Sequence, residues 1–335
     1  MLKHLAAALF VLVSLSTPAL AGTNEGISAY QSGNYGAALH ELLLAADAGD
    51  PMAQTVLGFM YVNGEGVPQD NALALKWFGL AAPQGNVDAQ HNLAYMYDTG
   101  LGVPRNVLEA VKWYKLAAAQ GRADSQFNLA NIYQTGESGV PRDELEAAKW
   151  YMLAAQQGDV EAEFSLGALY FDGRGVARNE AEAVKWFTLA AHEHHAEAQY
   201  NLGVAYNTGR GVPADNVEAA RWFRMAAEQG YAAAQANLGL LYDHGQGVPQ
   251  DDEQAVKWYA LAADQGEPYA QNSLGLMYKA GYGVPQDDVI AYKWLNLAAQ
   301  QGHAGATKAL ASLAERMTPE KIEQARKLTS EWRRK

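Results

Sequence analysis

The sequence predicts an all-α protein in which seven helix-turn-helix repeats stack into a solenoid. Three observations lead to this prediction: a tryptophan that recurs every 36 or 37 residues, a turn rich in glycine and proline inside each period, and a capping residue after each turn. A fixed period of this length is typical of solenoids, in which each unit buries its apolar face against its neighbours. The recurring tryptophans are Trp77, Trp113, Trp150, Trp186, Trp222, Trp258 and Trp294.

The composition excludes several classes of protein. The chain has 335 residues, 37 acidic and 25 basic side chains, a formal net charge of -12 and no cysteine. The acidic excess disfavours a general nucleic-acid binder, because phosphate neutralisation needs clustered lysine and arginine. The lack of cysteine excludes disulfide frameworks, thiolate catalysis, cysteine-ligated zinc and lipidated cysteine anchors.

Residues 1–21 have the pattern of a secretory signal peptide. Lys3 and His4 precede an apolar run at residues 5–15, and small residues lead to an expected cleavage site after Ala21. The run is too short to span a bilayer, which takes about 20 residues, so we expect no membrane anchor after cleavage. We expect an exported protein, periplasmic or secreted beyond the periplasm.

Residues 51–303 divide into seven repeats, each predicted to form two helices. In the first helix of one repeat Ala89, Leu93 and Tyr97 recur at four-residue spacing, so they share a face. A Gly-x-Gly-Val-Pro turn ends this helix, because glycine tolerates the left-handed conformation and proline cannot continue a helix. One repeat has Ala177 in place of the proline. The predicted N-caps of the second helices are Asp70, Asn106, Asp143, Asn179, Asp215, Asp251 and Asp287.

The two ends of the array differ from its repeats, as the ends of solenoids do. Residues 22–50 predict an N-terminal capping hairpin, and residues 304–335 predict C-terminal capping helices. Thr318 and Pro319 are typical of a helix start, as N-cap and first helical residue. We interpret this last helix as a cap over the final groove; a free recognition tail is the alternative.

Three recurring motifs resemble the Sel1-like repeat, a relative of the tetratricopeptide repeat. They are Ala-Gln-x-Asn-Leu-Gly-x-x-Tyr, Gly-x-Gly-Val-Pro-x-Asp and Ala-x-x-Trp-x-x-x-Ala-Ala-x-Gln-Gly, and they cover about residues 51–303. The resemblance implies a right-handed α/α superhelix and a role in binding other proteins. A cysteine-rich exported branch of the family ties each repeat with a disulfide. This chain lacks those cysteines, so the functions of that branch are not carried over.

The same resemblance implies that the first helix of each pair lines the concave face. The positions expected to point inward vary between repeats, and aromatic residues concentrate there in the second to fifth repeats. Aromatic side chains on a groove are good anchors for a partner peptide or helix. The alternative is that they only pack between adjacent helices. The candidate partner-binding residues, termed the first-helix surface below, are His91, Tyr95, Asp98, Phe127, Asn131, Gln134, Phe164, Phe171, Tyr200 and Asn207.

One segment, residues 192–195 (His-Glu-His-His), could suggest metal chemistry. Alignment of the repeats places His194 at a turn glycine, which favours a solvated turn instead. Paired aspartates such as Asp251 and Asp252 fall at predicted helix starts, where capping explains them. The sequence has no nucleophile-elbow, phosphate-loop or zinc-protease motif. We therefore expect no enzyme activity, no cofactor and no metal site.

Three functional hypotheses follow from these sequence features. The first is an exported scaffold that binds another protein, expected to belong to the cell envelope, along the concave groove. The second is an enzyme or small-ligand binder acting on cell-envelope material, with the groove or the turn at residues 192–195 as its site. The third is a secreted effector that binds a host protein. A ligand that raises the melting temperature would distinguish the second from the first.

Overall fold

The computed structural model describes residues 18–334, so the basic segment and apolar run of the predicted signal peptide lie outside the described residues. Within this range the chain forms eighteen α-helices and no β-strand, apart from an isolated bridge between Glu137 and Val140, which confirms the all-α prediction. None of the described helices is long and apolar enough to cross a membrane. The chain divides into two compact units, Met1–Gln157 (unit 1) and Gly158–Lys335 (unit 2).

Unit 1 contains eight α-helices within its described residues, and consecutive helices pack in pairs. A short 3-10 helix, Ala82–Gln84, follows the fourth of them. From α3 onward, odd-numbered helices are the first helices of repeats and even-numbered ones the second. The helices are α1 (Pro18–Gln31), α2 (Tyr35–Asp47), α3 (Pro51–Asn63), α4 (Asn71–Ala81), α5 (Val87–Thr99), α6 (Val107–Ala119), α7 (Ala123–Thr135) and α8 (Glu144–Ala155).

Unit 2 continues the same alternation over its described residues, and two further helices follow the last repeat. Its helices are α9 (Val160–Asp172), α10 (Glu180–His192), α11 (Ala196–Thr208), α12 (Asn216–Glu228), α13 (Ala232–His244), α14 (Asp252–Asp264), α15 (Pro268–Ala280), α16 (Asp288–Gln300), α17 (Ala304–Ala314) and α18 (Pro319–Glu331).

The predicted N-caps begin the second helices in every repeat. The Asp70 side chain accepts hydrogen bonds from the backbone N–H of Ala72 (2.9 Å) and Leu73 (3.0 Å), which would otherwise lack partners. The other six predicted caps also accept from the third residue of their helices, so all seven predictions are confirmed.

The turns depend on left-handed backbone. Gly100, which ends α5, has φ of 75°, a conformation that side chains with a Cβ disfavour. His194 has φ of 63° and is the one non-glycine residue with positive φ among residues 18–334. It occupies the turn position that glycine holds in other repeats, which confirms the prediction from sequence alignment of the repeats.

Small residues bring the two helices of a repeat into close contact. A Cβ at Gly58 would lie 2.5 Å from the Phe78 ring, and one at Gly203 would lie 2.6 Å from the Phe223 ring. Both aromatic side chains are almost completely buried between the helices. In these two repeats a glycine of the first helix therefore packs against an aromatic ring of the second, whereas Gly275 of the seventh repeat packs against Leu295.

The C-terminal helices pack against the last repeat. Thr318 caps α18, as predicted, by accepting from the backbone N–H of Lys321 (3.4 Å). Ala325 of α18 is fully buried in a cluster with Leu295 of α16 and Leu313 of α17. Trp332, one residue past α18, packs against a different cluster, whose residues come from α13, α14, α15 and α16.

Candidate partner-binding surface

The candidate residues of unit 1 lie on two first helices. Spacings of three and four residues place His91, Tyr95 and Asp98 on one face of α5 and Phe127, Asn131 and Gln134 on one face of α7. Tyr95 is the most open of these aromatic side chains, with 36% of its surface exposed. The side chains of the other five candidates in unit 1 are half-buried.

His91 is held by a neighbouring first helix and by its own second helix. Its Nδ1 lies 2.8 Å from the Ser125 hydroxyl, and its ring centre lies 5.8 Å from that of Tyr114. Burial, together with the positive charge of Arg122, lowers the pKa of His91 to about 4. Ser125 is fully buried, so this serine–histidine pair offers no nucleophile to a substrate.

Asp98 is engaged within the surface by an ion pair. Arg105 lies 3.2 Å from its carboxylate and also contacts Glu137. Burial raises the pKa of Asp98, and the hydrogen bond from Arg105 opposes that rise. The carboxylate therefore has its charge balanced locally.

One second-helix side chain joins the three candidate residues of α7. The Tyr151 ring centre lies 5.8 Å from that of Phe127. The Tyr151 hydroxyl lies 2.6 Å from the Gln134 side-chain oxygen and contacts the Asn131 side-chain oxygen. Tyr151 itself is fully buried, so it fixes the positions of all three.

Unit 2 places its candidates in a similar way. Phe164 stacks on His195, with ring centres 4.5 Å apart. The guanidinium of Arg210 lies 4.0 Å from the Phe171 ring centre and 2.7 Å from a carboxylate oxygen of Glu180. Phe171 thus lies under a cation that is itself paired, an arrangement that stabilises the ring position.

Tyr200 and Asn207 complete the candidates on α11. The Tyr200 ring lies between two aromatic neighbours, with its centre 5.1 Å from that of Tyr231 and 5.8 Å from that of Phe223. Asn207 donates from Nδ2 to Asn216 Oδ1 at 3.0 Å. Neither side chain is fully buried, so both leave part of their surface open.

A common pattern emerges from these contacts. In the second to fifth repeats, the candidate His91, Phe127, Phe164 or Tyr200 contacts the aromatic residue that follows the repeat tryptophan. Packing between helices therefore accounts for part of each ring, and the part that stays exposed is available to a partner. The structure brings the candidates of each unit together but leaves their binding role a prediction.

A further cluster in unit 2 lies outside the ten candidate residues, although three of its members occupy positions expected to point inward. Leu276 and Tyr282 are 40% and 60% exposed beside a cavity of about 430 Å³ that Asp243, Lys279 and Arg316 also line. Leu276 follows the fixed leucine of its repeat by two residues, the register that Tyr95 occupies. That register marks Leu276 as a position expected to point inward. Leu276 is not among the candidate residues because those were chosen in repeats two to five, where the aromatic residues concentrate.

The histidine-rich turn uses its side chains separately. His195 caps α11 by accepting from the Ala198 N–H at 3.1 Å, and His192 lies edge-on to Trp222 with ring centres 5.5 Å apart. His194 forms the left-handed turn. Among residues 18–334 no group of three or more histidine, aspartate or glutamate side chains is arranged to hold a metal ion.

Comparisons with known proteins give a consistent result. The family model described as the Sel1 repeat matches residues 51–86, 87–121, 123–159, 160–195, 196–231, 232–267 and 268–303. A Sel1 repeat protein from Oxalobacter formigenes shares 34% identity, covers 88% of this chain and 86% of its own, and superposes with a TM-score of 0.66. The protein c5321, a protective antigen present in uropathogenic Escherichia coli strains, shares 29% identity over 94% of this chain and 91% of its own, with a TM-score of 0.58. No curated protein matches the chain.

Proposed function

Because the chain belongs to the Sel1 repeat family, whose repeats are generally protein–protein interaction scaffolds, we propose that it is an exported scaffold that binds another protein on its first-helix surface. The partner is a protein of the cell envelope, which the signal-peptide pattern of residues 1–21 supports. The repeat fold is generally non-catalytic, and the buried Ser125 beside His91 agrees with a binding role.

One observation carries this proposal. In four consecutive repeats a ring on the first helix is braced by an aromatic residue of the second helix and still keeps part of its surface open. Rings that are already fixed lose little side-chain freedom on binding, so they make effective anchors. Tyr95, at 36% exposure, is the side chain best placed to make the first contact in unit 1.

A crosslinked pull-down from the cell envelope tests the proposal. The bait is the chain without residues 1–21, carrying a tag other than polyhistidine. Tyr95→Ala is the test variant, because an exposed ring contributes little to folding, and Tyr269→Ala is the matched control, because its ring is 39% exposed and lies outside the candidate residues. Circular dichroism checks that all baits are helical.

We expect one envelope protein that the wild type and Tyr269→Ala enrich and that Tyr95→Ala loses. Equal enrichment by all three baits would contradict the assignment of the surface. A partner captured only from host-cell extract would favour the secreted-effector alternative over the envelope scaffold.

A further inference from the structure

The interior of α4 contains a glycine that packing does not require. Gly79 lies two residues after Trp77, and a Cβ built on it would meet no atom within 4 Å. Glycine in a helix interior lowers stability relative to alanine, because it has more backbone freedom to lose. Other repeats have Lys115 or Met152 at the equivalent position. A glycine that costs stability and relieves no clash indicates a role other than folding.

The missing side chain opens a groove between α4 and α6, termed the α4–α6 groove. Its volume is about 330 Å³, at the lower end of the range for ligand pockets and enough for one large side chain. The apolar residues of its lining come from three helices, α4, α5 and α6. They are Leu75, Leu93, Tyr97 and Trp113.

The surface around the groove is apolar and exposed. Leu73 and Leu80 of α4 are 37% and 44% exposed, and Leu116 of α6 is 45% exposed. Leu80 directly follows Gly79, and Leu116 lies one turn after Trp113, so exposed apolar side chains neighbour the groove, as they do at interaction sites. The first-helix surface is made by other residues, so the two surfaces are distinct.

The unpaired charge at the groove is positive. Lys76 lines the groove and forms no ion pair with any residue of the described range, although its Nζ lies 5.5 Å from the Trp77 ring centre. Glu109, the acidic residue of the lining, lies 3.3 Å from Lys112, which balances its charge. A partner segment that places a carboxylate beside Lys76 would complement this site.

The last repeat shows which part of the chain can cover the exposed leucine that follows each repeat tryptophan by three residues. The leucine three residues after the repeat tryptophan is 42–47% exposed at Leu80, Leu116, Leu153, Leu189 and Leu261. At Leu297 the exposure falls to 6%, and Leu297 belongs to the cluster against which Trp332 packs. In the last repeat, then, α18 packs against the helix that carries this leucine, and Trp332 at its end packs against the same cluster.

We propose that the α4–α6 groove docks an amphipathic helix of a partner protein. The helix inserts one large apolar side chain beside Gly79 and places a carboxylate against Lys76. A lipid surface fits less well, because Glu109 and Glu146 offset Lys112 and Lys149 on the same face and leave little net positive charge. The proposal adds a second binding surface to the proposed function and does not depend on it.

Fluorescence anisotropy with a labelled synthetic helix of about 18 residues, five helical turns, tests the proposal. The helix carries leucine and tryptophan on one face and glutamate on the other. We expect saturable binding to the wild type and about tenfold weaker binding to Gly79→Met, which fills the groove, and to Lys76→Glu. Gly79→Met installs the residue that the third repeat has naturally, so its melting temperature should equal or exceed that of the wild type.

Matched controls lie at the equivalent positions in unit 2. Thr188→Met and Lys257→Glu should bind the peptide as the wild type does. Equal affinity of wild type and Gly79→Met, or no binding of the peptide up to about 1 mM, would overturn the proposal. So would equally tight binding of the same peptide with lysine in place of glutamate, or binding of phosphatidylglycerol vesicles that Gly79→Met and Lys76→Glu leave unchanged. Tyr95→Ala should not affect peptide binding, so this test is independent of the first-helix surface.

Discussion

Changing Glu163 and Glu193 together to glutamine is expected to stabilise the protein by about 2 kcal/mol at neutral pH. In six of the seven repeats, all within the described range, a glutamine near the end of the second helix donates to a buried glutamine of the first helix at 2.8–2.9 Å. The fourth repeat has Glu193 and Glu163 at these positions. The glutamine pairs are Gln84–Gln54, Gln120–Gln90, Gln157–Gln126, Gln229–Gln199, Gln265–Gln235 and Gln301–Gln271.

The magnitude follows from what the glutamate pair lacks. Glu163 is 6% exposed, and its Oε2 is buried without a hydrogen-bond partner among the described residues. Burial raises the pKa of Glu163, and the charges of Glu193 and Asp159 raise it further. A restored amide hydrogen bond contributes about 1 kcal/mol, and an unsatisfied buried oxygen costs about 1–3 kcal/mol. Because the two effects overlap, their combined value is about 2 kcal/mol.

Urea denaturation of wild type and double variant measures this difference, and hydrogen exchange in α9 and α10 locates it. Glu161→Gln, on the exposed face of α9, is the control and should change stability by no more than about 0.5 kcal/mol. The pKa of Glu163 is higher in the folded than in the unfolded chain. The wild type therefore gains stability relative to the double variant as pH falls from 7 toward the unfolded value near 4.3. A double variant no more stable than the wild type, or a difference that does not change with pH, would refute the reasoning.

Three further predictions concern single residues. Gly203→Ala should lower the free energy of unfolding by about 1–3 kcal/mol, because the added Cβ would lie 2.6 Å from the Phe223 ring. Gly79→Ala should raise the free energy of unfolding, because its added Cβ would meet no atom within 4 Å. Urea denaturation midpoints measure both effects. His194→Gly should raise the free energy of unfolding by about 0.5–1 kcal/mol, because it removes a side chain from left-handed backbone. A lower melting temperature for the variant than for the wild type would contradict this prediction. His91 has a pKa of about 4 when folded and about 6.5 when unfolded, so the unfolded chain binds the proton first as pH falls. The free energy of unfolding should fall by roughly 2 kcal/mol between pH 7 and pH 5, and His91→Gln should remove that loss. An NMR titration that gives His91 an ordinary pKa would contradict this prediction.

The sequence was sufficient to predict those features that depend on local chemistry. Asp70 and Asn106 begin helices because a short polar side chain can satisfy free backbone N–H groups wherever it stands before a helix. Gly100 and His194 mark turns because the repeat period aligns them with other turn residues.

Features that depend on neighbouring helices could not be predicted in this way. His91 is half-buried because Ser125 and Tyr114 lie against it, and the hydrogen-bonded pair is 34 residues apart in sequence. The position of Arg210 over Phe171 depends on how two consecutive repeats pack. Exposure of Leu80 and burial of Leu297 follow from what covers each helix, although both occupy the same position in the repeat. The extent of the candidate surface was therefore decided by packing, which periodicity alone does not give.

Photo-crosslinking from the first-helix surface tests the central claim most directly. Benzoylphenylalanine takes the place of Tyr95 on α5 in one protein and of Val217 on α12, which is 63% exposed, in another. In living cells the account predicts one discrete adduct with an envelope protein from position 95 and none from position 217. An adduct from position 217 with none from position 95 would contradict binding on the first-helix surface.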